Sequence, residues 1–427
     1  MKTSRREFLR LGLGAAAVAL ASRLPARAAE PAPGALAETG LSHGCTVGDV
    51  TADSAVVWLR APEQAEAAVH YGLDASLTDF RTAAAAPLCG ENDFTANLRL
   101  TGLRPGTVYY YRAAVAGKRP GPVGRFVTAP AAEEAVDVRF AFSGDSRESY
   151  QPFVIMDAIR EMRPDFFLHL GDTIYADREW IATRLSQFWN KYATNRADLP
   201  TQRLFSQASV YVMWDDHEVA DNCDHSNPLA PIGRRAFFDY WPLSRSPLEP
   251  DRLYRSYRWG KAVELFILDT RQYRDRAEPT ILGKAQREWF LESLAASTAW
   301  FKIVASSVPF SSPQRDKWGG FRAERERVLA HIAQKQIRGV IFLAADVHYA
   351  AVCRVPGAGP LREFVAGPIG GPMGLALGRG KRFEFFYRKS SSYGLVKVRA
   401  EAAAPYVEID LMDARNNLLY RSRIDAG

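Results

Sequence analysis

Cysteine is scarce, with four residues in 427, and positions 45, 89, 223 and 353 fit no Cys-x-x-Cys metal spacing. The sequence thus offers no thiolate motif for a metal. Cys45 and Cys89 could staple one small unit in an oxidising compartment, and free buried thiols are the open alternative. Long apolar runs are lacking too: the stretch from Leu11 to Ala21 is too short to span a bilayer, and no other candidate span follows. Nor is there an excess of charge in the body of the chain. The formal charge is +7, but Lys2, Arg5, Arg6, Arg10, Arg23 and Arg27 stand against Glu7 alone at the start. From Glu30 onward 49 basic residues face 47 acidic ones, so the basic excess is largely a feature of the leader and not a binding face. This argues against a nuclease and against a stable nucleic-acid partner. Internal repeats are absent.

What is present begins with a leader. A basic start, the apolar run and the small-residue pattern Ala26-Arg27-Ala28 are the three parts of a secretory signal, expected to occupy residues 1–29. Ser4-Arg5-Arg6-Glu7-Phe8-Leu9-Arg10 resembles the twin-arginine export signal. That resemblance implies the twin-arginine machinery as a partner and a periplasmic or secreted protein, folded before export. Residues 30–40 read as a Pro/Ala/Gly linker.

The length and the 47% hydrophobic content suffice for a substantial core. Over residues 40–130 short alternating strands dominate, at 54–60, 94–100, 108–116 and 124–128, with a turn at Leu103-Arg104-Pro105-Gly106. A small β-sandwich lets each such strand bury one face. After Ala129-Pro130 the pattern changes to apolar strands at 139–142, 166–170, 209–213, 262–268, 301–305 and 340–343. Helices are expected at 153–161, 178–193, 284–296 and 322–334. Near-continuous apolar strands between helices require a sheet covered on both faces, hence an α/β unit over 137–427. Strands at 393–398 and 407–411 are expected to complete a second sheet.

The acidic residues carry the functional signal. Asp145 follows the first strand of this unit, in Phe142-Ser143-Gly144-Asp145, and Asp172 follows the next, in Leu170-Gly171-Asp172-Thr173-Ile174-Tyr175. Asp215, Asp216 and His217 follow the strand ending at Met213, and Asp346 and His348 follow the strand at 340–343. Four strand ends thus each deliver candidate ligands, and sites in open α/β sheets gather at the carboxyl ends of strands.

These motifs resemble those of the calcineurin-like metallophosphoesterases, especially their alkaline phosphatase D branch. The matching stretches are Gly144-Asp145-Ser146-Arg147, Gly171-Asp172-Thr173-Ile174-Tyr175, Trp214-Asp215-Asp216-His217-Glu218 and Ala345-Asp346-Val347-His348. Leu268-Asp269-Thr270-Arg271-Gln272-Tyr273 and Phe364-Val365-Ala366-Gly367-Pro368 support the branch, and the strands of residues 40–130 resemble its fibronectin-type N-terminal domain. The implied fold is a four-layer α/β/β/α sandwich preceded by that small all-β sandwich. The implied activity is phosphoric ester hydrolysis, on monoesters or diesters, by in-line attack of a metal-bridging hydroxide.

The resemblance also implies the ligands. Asp145, Asp172, Tyr175 and His348 would hold one ion, and the tyrosine form resembles purple acid phosphatases, where tyrosinate binds ferric iron. Asp172 would bridge to a second ion bound by Asp216 and Asp346. Where a metal-binding histidine would precede a proline, this chain has Ser307-Val308-Pro309. The second set is rich in oxygen, so Fe³⁺ with Ca²⁺ is the expected pair, with Mn²⁺, Mg²⁺ or Zn²⁺ as alternatives. The candidate catalytic residues are His217, Arg147 and Asp215. His217 could donate to a phosphoryl oxygen or protonate the departing alkoxide. Arg147 could clamp phosphate or anchor its loop, and Asp215 could orient the ligands or reach the second ion. Arg271 and Arg274 could contact phosphate, or could be arginines of a solvated loop. His169 reads as a core histidine, His225 as a loop histidine with a chance of touching substrate, and His43, His70 and His331 as structural or solvent-facing. A monomer is expected, with transient contact with a membrane surface if the ester is a phospholipid. Rival functions are a phospholipase D and a secreted binding or adhesion protein without catalysis.

Overall fold

The computed structural model describes residues 36–375 and 382–426. The expected leader lies outside the described residues. Among the latter, no helix is long and apolar enough to cross a membrane.

A nine-stranded sheet has at its centre Val138–Ser143, Phe166–Leu170 and Ser209–Met213, mutually parallel. A seven-stranded sheet carries Val263–Ile267, Phe301–Ala305 and Val340–Ala344, also parallel. Alternate residues of these strands face opposite ways, which is how the layers are specified. Phe140, Phe142, Phe166 and Leu168 share one buried core with Ile303, Ala305, Ile341 and Leu343 of the other sheet. Their neighbours Ala141, Phe167 and Val212 instead pack with Ile155, Ile159, Phe188 and Phe237 from the helices on the outer face. Val304 and Phe342 do likewise with Phe290, Leu294 and Val328 of the helices Gly283–Ala296 and Arg322–Gln334. The result is the expected helix–sheet–sheet–helix sandwich.

The late strands depart from expectation. Ser392–Arg399 and Tyr406–Asp413 extend the first sheet instead of the second, with Val396 antiparallel to Phe140. Val396, Val398, Ile409 and Leu411 thereby reach the core between the sheets, and a strand's partner is not encoded in its own alternation. The helix expected over 178–193 begins at Leu185. Glu179 sits at φ 55° and the Gln187 side chain accepts the Thr183 and Arg184 N–H groups at 2.9 and 3.1 Å, so the cap sets the start.

The N-terminal strands form two sheets, but one is continuous with the body. Cys45–Gly48, Ser54–Arg60 and Thr95–Thr101 join the nine-stranded sheet where Gly48 pairs with Val210. A Cβ on Gly48 would lie 2.7 Å from the Val210 carbonyl oxygen, so only glycine permits that approach. Four further strands, with Tyr71, Tyr109, Tyr111 and Phe126, close over Val57, Leu98 and Leu100 in the same core. Cys45 and Cys89 are both free thiols.

Candidate metal centre

The registers of the parallel strands align their carboxyl ends. Ser143 pairs with His169, His169 with Val212 in the next strand, and Ala305 with Leu343 in the other sheet. The loops that follow therefore open at one edge of the sandwich, and all six expected ligands meet there. Asp145, Asp172, Asp346 and His348 all have positive φ, at 66°, 52°, 67° and 55°. That conformation is strained for side-chain-bearing residues, and such strain gathers at functional sites. Gly171, at φ 99°, lets the second loop pass Asp215, whose Cβ would lie 2.8 Å from a Cβ on the glycine.

Carboxylate and imidazole donor atoms of Asp145, Asp172 and His348 lie within 4.8 Å of one another, as do those of Asp172, Asp216 and His217, and those of Asp215, Asp216 and Asp346. Asp172 belongs to two of these sets, so it stands where a bridge would. His348 donates Nδ1–H to the Pro372 carbonyl at 2.7 Å, which leaves Nε2 as the ligand atom. That Nε2 is 3.0 Å from the Tyr175 hydroxyl and 3.7 Å from Asp145 Oδ1.

The electrostatics show what the cluster needs. Asp145 Oδ2, Asp215 Oδ2 and Asp346 Oδ2 are buried without a hydrogen-bond donor, and Asp216 Oδ1 makes no hydrogen bond but faces the Arg271 guanidinium at 3.2 Å. Burial, and then the neighbouring carboxylates, push Asp145 and Asp172 well above the usual carboxylate range. Burial also raises Asp346 to about 6, although Lys317 pulls it down. The same burial and the nearby carboxylates raise the Tyr175 phenol. Burial lowers His348 to about 4 and keeps its imidazole neutral. Buried oxygens without donors, around a neutral imidazole and a phenol, fit a multivalent cation of hard character.

The other expected residues occupy distinct positions. His217 donates Nδ1–H to Asp177 Oδ1 at 2.7 Å, and its ring stacks on Tyr175 at 4.3 Å. Arg147 pairs with Glu179 at 2.7 Å, its guanidinium 5.9 Å from the Tyr175 ring centroid. Asp215 Oδ1 accepts from Arg271 Nε at 2.5 Å and from Ser307 Oγ at 2.7 Å. Arg271 and Arg274 are fully buried, which corrects the solvated-loop alternative. Arg271 also reaches Asp216 at 3.2 Å, whereas Arg274 is spent on the Thr270 and Asp316 carbonyls. His169 is a core residue against Ser146, and His225 Nδ1 binds the Arg274 carbonyl.

Three residues escaped the sequence reading. Lys317 is buried with Nζ on Asp346 Oδ1 and 2.7 Å from Asp316, yet its loop carries no pattern. Asp177 stands two residues past Tyr175, where an acidic residue just beyond a ligand was the available signal. Glu218, raised to about 7 by burial, accepts from the backbone N–H groups of Thr173 and Asp215 and ties the second and third loops together.

With this geometry in view, the chain can be placed among known proteins. The PhoD-like phosphatase family model matches residues 140–376, and the model for the N-terminal domain of PhoD-like phosphatases matches residues 27–130. Alkaline phosphatase D of Bacillus subtilis (strain 168) is 29% identical over 312 residues, covering 60% of this chain and 53% of that protein. The match thus spans about half the length of that relative. Among solved structures, one described as the structure of PhoD superposes with a TM-score of 0.80 at 23% identity, over 90% of this chain and 89% of the other. Purple acid phosphatase PPD1 from yellow lupin (Lupinus luteus) seeds gives a TM-score of 0.69 at 14% identity, over 89% of this chain and 74% of that one. These likenesses speak to the fold. The family assignment rests on the catalytic-region match, which covers more than half of the sequence: this chain belongs to the PhoD-like phosphatase family.

Proposed function

We propose that the chain is an exported, metal-dependent hydrolase of phosphate monoesters or diesters. The observation that carries this reading is the buried group of carboxylates with oxygens lacking donors, shared through Asp172. Asp145, Asp172, Tyr175 and His348 would hold one ion, and their anionic set suits Fe³⁺. Asp172, Asp216 and Asp346 frame the place of a second cation. As a metal ion it would be hard and divalent, Ca²⁺ before Mn²⁺ or Mg²⁺. Metal bound here supplies Lewis acidity and a water of lowered pKa.

The chain's own groups do the rest. Asp177 fixes the His217 ring through Nδ1 and leaves Nε2 to donate to a phosphoryl oxygen or to the leaving alkoxide. Burial opposes protonation of His217, but the bond to Asp177 and the charge of Asp216 outweigh it and raise its pKa, as an acid requires. Asp215 holds Arg271 in place and so acts by positioning. Arg147 anchors the first loop to Glu179. Export through the twin-arginine route, to the periplasm or the medium, is the reading supported by residues 1–29.

A second reading, a phospholipid diester as substrate, is favoured by Tyr150, Trp180 and Ile181. They are exposed on the two loops that the Arg147–Glu179 pair joins. The test is a panel of p-nitrophenyl phosphate, bis-p-nitrophenyl phosphate and phosphatidylcholine, each with and without chelator. Chelator-sensitive release of phosphate or alcohol from at least one is expected. Activity indifferent to complete metal removal would contradict the proposal.

A further inference from the structure

The two halves of the centre differ in what answers their charge. Among the described residues no lysine or arginine pairs with Asp145 or Asp172: Asp145 Oδ1 has the neutral imidazole of His348 at 3.7 Å, and Asp172 Oδ1 accepts from the His217 backbone N–H. The other half is crowded with protein donors. Arg271 places Nε 2.5 Å from Asp215 and Nη2 at 3.2 Å from Asp216 and 4.0 Å from Asp346. Lys317 sets Nζ directly on Asp346 Oδ1 and is tethered by Asp316 at 2.7 Å. Ser307, at the place where the family resemblance leads one to expect a histidine ligand, turns its hydroxyl to Asp215 at 2.7 Å. Lys317 is only 6% exposed, and a buried ammonium persists only where carboxylates answer it.

We infer that Lys317, backed by Arg271, is the second cation of this centre, so the chain binds one multivalent ion where its motifs suggest two. The inference rests on the reading that the cluster is a metal centre for ester hydrolysis. A divalent ion between Asp216 and Asp346 would be set against two fixed positive charges and would have to displace the ammonium from Asp346. Lysine suits the task, being a compact point charge with three N–H donors on a flexible stem. Its N–H groups reach a phosphoryl oxygen by hydrogen bonding where a metal ion would coordinate it. Asp215 Oδ2 and Asp346 Oδ2, which lack donors, are the oxygens a divalent ion would take once the ammonium is gone.

The experiment counts ions. Full-length wild type, Lys317→Ser and Lys317→Arg are dialysed with Ca²⁺ or Mn²⁺ and analysed by mass spectrometry for all metals, with circular dichroism as the check on folding. Expected are one equivalent of metal in wild type and Lys317→Arg, and a second, divalent equivalent in Lys317→Ser. If Lys317→Ser does not fold, anomalous scattering from Mn²⁺-soaked wild-type crystals decides: one occupied position supports the inference and two overturn it. Two equivalents in wild type would overturn the inference and leave the proposed hydrolase standing. Equal counts in wild type and folded Lys317→Ser would also overturn it. Folded, active wild type with no metal would overturn both.

Discussion

Asp177 Oδ1 lies 2.7 Å from Nδ1 of His217 and fixes the plane of an imidazole that stacks on Tyr175. The backbone N–H of Asp221 holds the other Asp177 oxygen at 2.7 Å, so the pair is rigid from behind. Asp177→Asn should therefore lower kcat by about 10²-fold, in the range of lost acid–base assistance, with KM and metal content little changed. Steady-state kinetics with metal analysis checks this. A kcat within twofold of wild type would remove His217 from the mechanism.

Tyr175→Phe keeps the ring that packs on His217 and removes only the hydroxyl beside His348. The iron-loaded wild type should show a visible tyrosinate-to-iron absorption, and the variant should lose it while melting close to wild type. An unchanged band would exclude Tyr175 as a ligand.

Acid sensitivity should come in part from buried neutral histidines. Burial lowers His169 to about 3 and, with Arg60 and Arg196 nearby, His43 to about 4. Unfolded histidine titrates near 6.5, so the unfolded chain takes up protons first as the pH falls. Stability present above about pH 6.5 is thus lost on the way down toward pH 4, on the order of 2–3 kcal/mol for each residue. Urea unfolding at pH 7, 5.5 and 4.5 should give a shallower decline for His169→Asn than for wild type. Parallel declines would contradict the assignment.

Phe166 joins the two sheets mechanically. Its ring lies 4.6 Å from Phe140, 4.9 Å from Tyr211 and 4.8 Å from Trp259 of the opposite sheet. Phe166→Ala should cost about 3–5 kcal/mol of stability, measured by denaturant unfolding, while folded protein retains its metal. A cost below about 1 kcal/mol would mean that the sheets do not depend on this contact.

What the sequence displayed was governed by burial. Phe166–Leu170, Ser209–Met213 and Phe301–Ala305 are buried along their whole length, so they read as near-continuous apolar runs with the expected bounds, and the acidic residues after the first two stood out. Arg81–Leu88 is a strand with four central alanines, a composition that announces no strand, and pairing with Ala65–Gly72 overrides it. Five of the six ligand candidates were legible because they stand just past strand ends, and Tyr175, five residues beyond Leu170, was implied by the family resemblance. Lys317 was not legible, because a loop residue shows its charge but not its destination, and only the folded chain carries it to Asp346, 29 positions on. For the same reason the sequence left Arg271 and Arg274 open between phosphate contacts and a solvated loop, whereas both are buried.

The central claim is that the cluster around Asp172 is a metal centre that performs ester hydrolysis. Its most direct measurement is the metal content and bis-p-nitrophenyl phosphate turnover of full-length wild type beside Asp172→Ala. The account predicts tightly held metal and turnover in the wild type, with the loss of both in a folded variant. Turnover persisting in Asp172→Ala, or in wild type stripped of every metal, would contradict it.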